Sequence, residues 1–170
     1  GEVSQIGIPR IRFVTSHPWD FTDKMIDVIS KCDNIMPYIH LPLQSGSDRI
    51  LKLMGRKYTT EEYLELVRKI REKVNNVSIT TDIIVGFPGE TEEDFEKTID
   101  MVNLVKYDLA YTFIFSPREG TPASKMKDDI SMEIKKSRLA RLNELINKYA
   151  LEANEKMKDK VVDVLILSES

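Results

Sequence analysis

At 170 residues, 41% of them hydrophobic and 31% charged, the chain has the size and balance of one soluble globular domain with its own core. Its single cysteine, Cys32, excludes an internal disulfide and any metal site made of cysteines alone, and no apolar run approaches the ~20 residues of a membrane span. A formal net charge of −3 argues against a chain that grips nucleic acid unaided, because neutralising phosphates takes clustered Lys and Arg.

Residues 1–9 show no period. RIRFVT at 10–15 alternates and is rich in strand formers, then breaks at Ser16-His17-Pro18, which predicts a first strand and its loop. Thr22 can satisfy an early helical N–H, and the apolar residues after it recur at helical spacing, so a helix is expected over 22–31 with Cys32 as a half-buried small residue at its end. A strand over 36–43 drops the polar run Gln44-Ser45-Gly46-Ser47 at its carboxyl end, and a short helix follows with Ile50, Leu51 and Met54 on one face. Thr59 and Glu62 form a capping box that starts a helix burying Tyr63, Leu66, Val67 and Ile70.

The strand over 77–86 is apolar except at Thr80-Thr81-Asp82, as expected of a parallel strand covered on both faces. Thr91 caps a helix that turns Phe95, Ile99, Val102 and Val105 inward, and a fourth strand over 108–115 ends in the turn-rich residues 116–122. Ser131 caps a long helix over 131–157, whose stripe is Leu139, Leu142, Ile146, Tyr149, Ala153 and Met157, and residues 160–167 read as one terminal strand. The basic residues Lys135, Lys136, Arg138 and Arg141 read as a solvated helix face; a second basic group is Lys52, Arg56 and Lys57.

Strand and helix alternate throughout. The fold class expected is α/β: a partial (β/α) TIM-like barrel with parallel strands and about four β/α units, followed by the long helix and the terminal strand. Ligands of such sheets collect where strands end, which directs attention to Gln44, Asp82, Gly86 and Phe115. An open barrel also leaves strand edges exposed, and these invite a homodimer or a soluble oligomer.

Several motifs then stand in one order: IRFVTSHPWDF, HLPLQSGS, MGRKYT, TDIIVGFPGET and FIFSPREGTPA. Together they resemble the radical S-adenosylmethionine (SAM) tRNA methylthiotransferases of the MiaB type, from about residue 10 to the end. The resemblance implies an enzyme that adds a methylthio group to a prenylated adenosine beside the tRNA anticodon, with SAM and 4Fe-4S clusters as cofactors, working in the cytoplasm. It implies that residues 1–157 are the carboxyl-terminal part of the radical SAM partial barrel and residues 158–170 the first strand of a TRAM domain.

The family's cluster motif, CxxxCxxC, is missing here. The expectation is therefore a piece of a longer enzyme, inactive by itself, with no catalytic residue and no metal ligand of its own.

By position in the motifs, Gln44 and Asp82 match acceptors for the SAM ribose, and Arg56 matches the partner of its methionine carboxylate. An ionised carboxylate can take both hydrogens of a diol, and a guanidinium fork fits a carboxylate. Gly86 and its neighbours form a wall of the adenine and methionine pocket, and Phe115 offers a surface to adenine. Ser16, His17 and Arg118 are candidates for contact with the nucleic acid substrate.

Each residue also has a plainer reading: Asp82 bonding a neighbouring loop, Gln44 capping the next helix, Arg56 and Arg118 as surface turn residues, Phe115 and His40 as core. Two rival functions remain at this stage. One is a non-catalytic tRNA-binding module, and the other is an unrelated (β/α)-barrel enzyme using His17, Asp82 and Glu90 as acids and bases.

Overall fold

The structure, a computed structural model, describes residues 2–14, 17–162 and 164. Its spine is three parallel strands, β1 (Tyr38–His40), β2 (Ser78–Val85) and β3 (Leu109–Ile114), lying side by side in the order β1-β2-β3. The helices are α1 (Asp23–Lys31), α2 (Asp48–Leu53), α3 (Thr60–Lys73), α4 (Glu92–Val105) and α5 (Met132–Glu155). Side-chain oxygens start them where the sequence predicts: Thr22 accepts from the Met25 N–H, Ser131 accepts from the Ile134 N–H, and Thr59 with Glu62 forms the expected capping box. Asp94 makes a second capping box with Thr91.

The parallel α/β partial barrel stands, with one strand fewer than expected. Residues 10–14 make a single parallel bridge, Ile11 to Ile35, in place of a strand. The ladder stops because its next donor, the Tyr38 N–H, turns back to the Met36 carbonyl at 2.8 Å. The terminal strand expected over 160–167 falls largely on residues 163 and 165–170, outside the described residues. The stripe of α5 buries Leu142, Ile146 and Tyr149, while Met157 lies past the helix and is exposed.

A correction concerns the basic run on α5. Lys135 and Arg138 are buried, not solvated: Lys135 pairs with Asp128, and Arg138 pairs with Glu90 at 2.8 Å and Glu92 at 3.1 Å. The aliphatic stems cover core surface while the charged ends are neutralised inside the fold. Arg141 is likewise spent on Glu92 and Glu96.

The two faces of the sheet differ. Ile79, Thr81, Ile83 and Val85 of β2 are buried on the side of the helices. On β3, Leu109, Tyr111 and Phe113 are 41%, 48% and 51% exposed, so the concave face is open. Among the described residues no helix is long and apolar enough to cross a membrane.

The end of β1 carries the most unusual backbone. The Leu43 N–H leaves the ladder there and is taken up by the Thr81 hydroxyl, which accepts it at 2.8 Å. The carbonyls of the detour are met by buried tyrosines: Tyr63 donates to Leu41 at 2.8 Å, and Tyr58 donates to Leu43 at 2.8 Å and Pro42 at 3.2 Å. Burial pushes the Tyr58 phenol up to about 12 and the Tyr63 phenol higher still, so both remain donors. Gln44 then rejoins the ladder with φ of 67°, its N–H on the Asp82 carbonyl and its carbonyl taking the Ile84 N–H.

Just beyond, Gly46 lies against α4 so closely that a Cβ would fall 2.4 Å from the Lys97 carbonyl oxygen. The Asp94 carboxylate ties the two loops together. It accepts the Ser47 hydroxyl at 2.6 Å, the Thr91 N–H at 2.9 Å and hydroxyl at 2.7 Å, and the Arg49 guanidinium. Burial alone would raise its pKa, but the bonds from Arg49, Ser47 and Thr91 outweigh burial and hold it far below the ordinary carboxylate value.

Two outcomes follow. Tyr63→Phe leaves the Leu41 carbonyl unpaired in the core and is expected to cost about 1–3 kcal/mol in urea unfolding. Because the folded pKa of Asp94 is depressed, its contribution is complete above the ordinary value of 3.8 and is lost as the pH falls towards the folded value. Asp94→Asn is therefore expected to lower stability by about 2 kcal/mol at pH 7 and to flatten the acid limb of a stability-versus-pH curve.

Candidate functional site

Where β1, β2 and β3 end, a cleft of about 830 Å³ opens, and Gln44, Arg56, Asp82, Phe115 and Arg118 all line it. Five of the eight candidate residues named from the sequence are thus brought to one concavity. The strands explain the convergence. Asp82 and Ile84 pair with Tyr111 and Phe113 across β2 and β3, which puts alternate residues of both strands on the open face. Arg56 follows the Gly55 turn after α2, and its N–H returns to the Leu51 carbonyl at 2.9 Å.

Three polar groups here have no protein partner to consume them. Among the described residues, nothing hydrogen-bonds the Gln44 amide side chain or Oδ1 of Asp82. Nε of Arg56 is buried and meets no acceptor. A buried orphan such as Arg56 Nε is uncommon in folded proteins and points to a ligand, and Asp82, whose side chain is 30% exposed, keeps an oxygen open to one. Opposite stands an apolar wall in which Phe87 and Phe115 meet edge to face, ring centroids 5.0 Å apart. The set suits a molecule with a diol, a carboxylate and a flat heterocycle.

Gly86 stands apart from this lining. Its φ is 71°, its N–H donates to the Glu90 carboxylate at 2.7 Å, and a Cβ would fall 2.5 Å from the Lys135 stem. Its contribution is to let the turn sit on α5, which fixes the neighbouring Phe87. Burial lifts the pKa of Glu90 above its ordinary value against the pull of Gly86 and Arg138, and the carboxylate is enclosed by them, so it is not an acid or base at an open site.

His17 lies outside the cleft lining but reaches it: its Nδ1 is 3.1 Å from the Arg56 guanidinium, and its ring stacks on Trp19 at 4.3 Å. Ser16 lies outside the described residues. Gln44 does not cap α2; Ser47 does, accepting the Ile50 N–H. Sequence reasoning passed over the lining residues Leu53 and Met54; His40, expected in a hydrogen-bonded core role, bonds the Thr80 hydroxyl at 3.0 Å and also faces Asp82 at 3.4 Å. The alternation of His40 with Gln44 along one strand face was the available signal.

The metal question is decided by donors. Among the described residues there is no group of three or more His, Cys, Asp or Glu that could hold an ion. Cys32 sits at the end of α1, where its thiol donates to Ser4 Oγ at 3.4 Å. An iron–sulfur cluster needs several thiolates at one point, and the residues present do not fit one.

Comparison with known proteins places this geometry in a family. The family model of the radical SAM superfamily matches residues 2–102. Two relatives, both tRNA-2-methylthio-N(6)-dimethylallyladenosine synthases, come from Staphylococcus epidermidis and Bacillus subtilis. The first is 56% identical over 164 residues, covering 96% of this chain and 32% of the relative. The second is 57% identical over 169 residues, covering 99% of this chain and 33% of the relative. The chain thus spans about a third of the length of the curated relatives it matches.

Among solved structures, coproporphyrinogen III oxidase (HemN) of Escherichia coli, described as a radical SAM enzyme, aligns with a TM-score of 0.66 at 20% identity, covering 82% of this chain and 32% of that one. The Elp3 protein of Methanocaldococcus infernus aligns at 0.57 and 18%, covering 83% and 32%. These two likenesses concern the fold alone. With the family model matching more than half of its residues, the chain belongs to the radical SAM superfamily.

Proposed function

We propose that this chain is the SAM-binding part of an enzyme that methylthiolates a prenylated adenosine in tRNA, as the printed names of its relatives describe for them. The observation that carries the reading is the cleft in which an unpartnered amide, carboxylate oxygen and guanidinium nitrogen face an aromatic wall. In it Asp82 and Gln44 take the ribose hydroxyls, Arg56 takes the methionine carboxylate, and Phe87 with Phe115 borders the adenine. SAM, when bound, supplies one-electron chemistry that activates a C–H bond. This chain's residues bind it, orient it and exclude water from the adenine side.

The cluster belongs to a part of the enzyme that this chain does not match, and alone the chain is inactive. Arg118 at the cleft rim and His17 beside Arg56 are offered to the RNA, whose phosphates and unstacked bases suit a guanidinium and an aromatic ring. A tRNA substrate implies work in the cytoplasm. The −3 charge speaks against tRNA binding as the chain's sole task.

Calorimetry of the purified chain with SAM tests the reading. Asp82→Ala is expected to weaken binding about tenfold or more. Arg56→Ala should weaken SAM while leaving 5′-methylthioadenosine, which lacks the carboxylate, nearly unchanged. No heat with SAM, or equal affinities in wild type and Asp82→Ala, would end the proposal.

Among the described residues the outer edge of β3 is unpaired, and next to it Tyr111 and Phe113 are half exposed. Alone, the chain is expected to self-associate through it. Light scattering at rising concentration should show a dimer or larger species; a monomer throughout would count against it.

A further inference from the structure

We infer that His40 is a positioning residue for Asp82, holding the carboxylate from behind and so setting how tightly the cleft takes a nucleoside diol. The inference rests on the reading of Asp82 as the diol acceptor.

Asp82 stands in the wall between two concavities. On one side is the cleft described above. On the other is a smaller one of about 470 Å³, lined by Arg12, Tyr38, His40 and Tyr111 among others. From that second side Nε2 of His40 lies 3.4 Å from Oδ2 of Asp82, the carboxylate's one ion-pair contact among the described residues. The Asp82 side chain is 30% exposed, and without a partner its carboxylate would rotate freely. Held at one oxygen, it keeps the other for a ligand.

His40 is itself held. Its Nδ1 is 3.0 Å from the Thr80 hydroxyl, whose oxygen is 3.4 Å from that of Tyr38, and the Tyr111 ring meets the imidazole edge-on at 6.1 Å. Strand register builds this row. His40 pairs with Thr80, and Asp82, two residues further along β2 on the same face, pairs with Tyr111.

The row fixes one end of the ring: Nε2 must carry a proton to face a carboxylate, and Nδ1 is anchored on the Thr80 hydroxyl. The remaining charge on that side, Arg12, lies 4.1 Å over the Tyr38 ring and so does not compete for Asp82. In this arrangement the imidazole touches no ligand and acts only through Asp82, as outer ligands orient inner ones at metal sites.

The test separates positioning from general support of the fold by comparing 5′-methylthioadenosine with its 2′,3′-dideoxy analogue in calorimetry on the 170-residue chain. His40→Ala is expected to weaken the first about fivefold to tenfold and leave the second unchanged. His40→Gln, whose amide nitrogen can donate from the position of Nε2, is expected to recover most of the loss.

Equal losses for both ligands, or wild-type affinity in His40→Ala, would overturn the inference. If Asp82→Ala also fails to distinguish the two ligands, the functional reading fails with it; if Asp82→Ala distinguishes them and His40→Ala does not, this inference alone fails. Should His40→Ala not fold, nitrogen-15 imidazole spectra of the wild type decide, since the chain has only two histidines. An Nε2–H signal for His40 supports the arrangement, and an unprotonated Nε2 overturns it.

Discussion

Past Leu41 the central sheet's first strand makes a one-residue detour, and the ligand-facing end of the molecule is arranged around it. A strand that ran on straight would set the Leu43 N–H on the Asp82 carbonyl, where Gln44 stands instead. The Thr81 hydroxyl instead receives the Leu43 N–H, two tyrosines donate to three successive carbonyls, and Gln44 turns left-handed beside Asp82. The Leu43 N–H and the carbonyls of Leu41, Pro42 and Leu43 thereby find partners within the core. The cost of a non-glycine residue at positive φ is borne where the side chain is needed.

Charge follows a similar division. The cations of α5, Lys135 and Arg138, are consumed by Asp128, Glu90 and Glu92, and they stiffen the turn that carries Phe87. Arg56, on a short loop, keeps its Nε unmet at the cleft. In sequence the two kinds of arginine look alike. What separates them is whether a carboxylate faces them across the fold, and that depends on contacts between residues more than 40 positions apart, such as Arg138 with Glu90.

Much of the architecture was nonetheless legible. Period and capping residues placed five helices and the three strands, because Thr22, Thr59, Thr91 and Ser131 act locally on the first turn they precede. The strand expected over 10–15 reduces to one bridge because RIRFVT has the right pattern while its partner segment turns the next donor, the Tyr38 N–H, back on itself. At the site, motif order led to Gln44, Arg56 and Asp82, whose shared cleft the strand register accounts for. Of the segment expected to wall the pocket, Phe87 lines the cleft while Gly86 packs on the Lys135 stem, and in sequence a glycine needed for close packing looks the same as one that admits a ligand.

The Asp94 carboxylate reaches both the start of α2, through Ser47 and Arg49, and the start of α4, through Thr91. The loops bearing Gln44 and Phe87 are thereby clasped as a single rigid jaw. The opposite jaw, after β3, is bound mostly to itself, with the Thr121 hydroxyl on the Arg118 carbonyl and the Ser124 hydroxyl on the Thr121 carbonyl. Accommodation of a bulky guest therefore falls to that second jaw, while the first preserves the alignment of whatever small molecule is already seated.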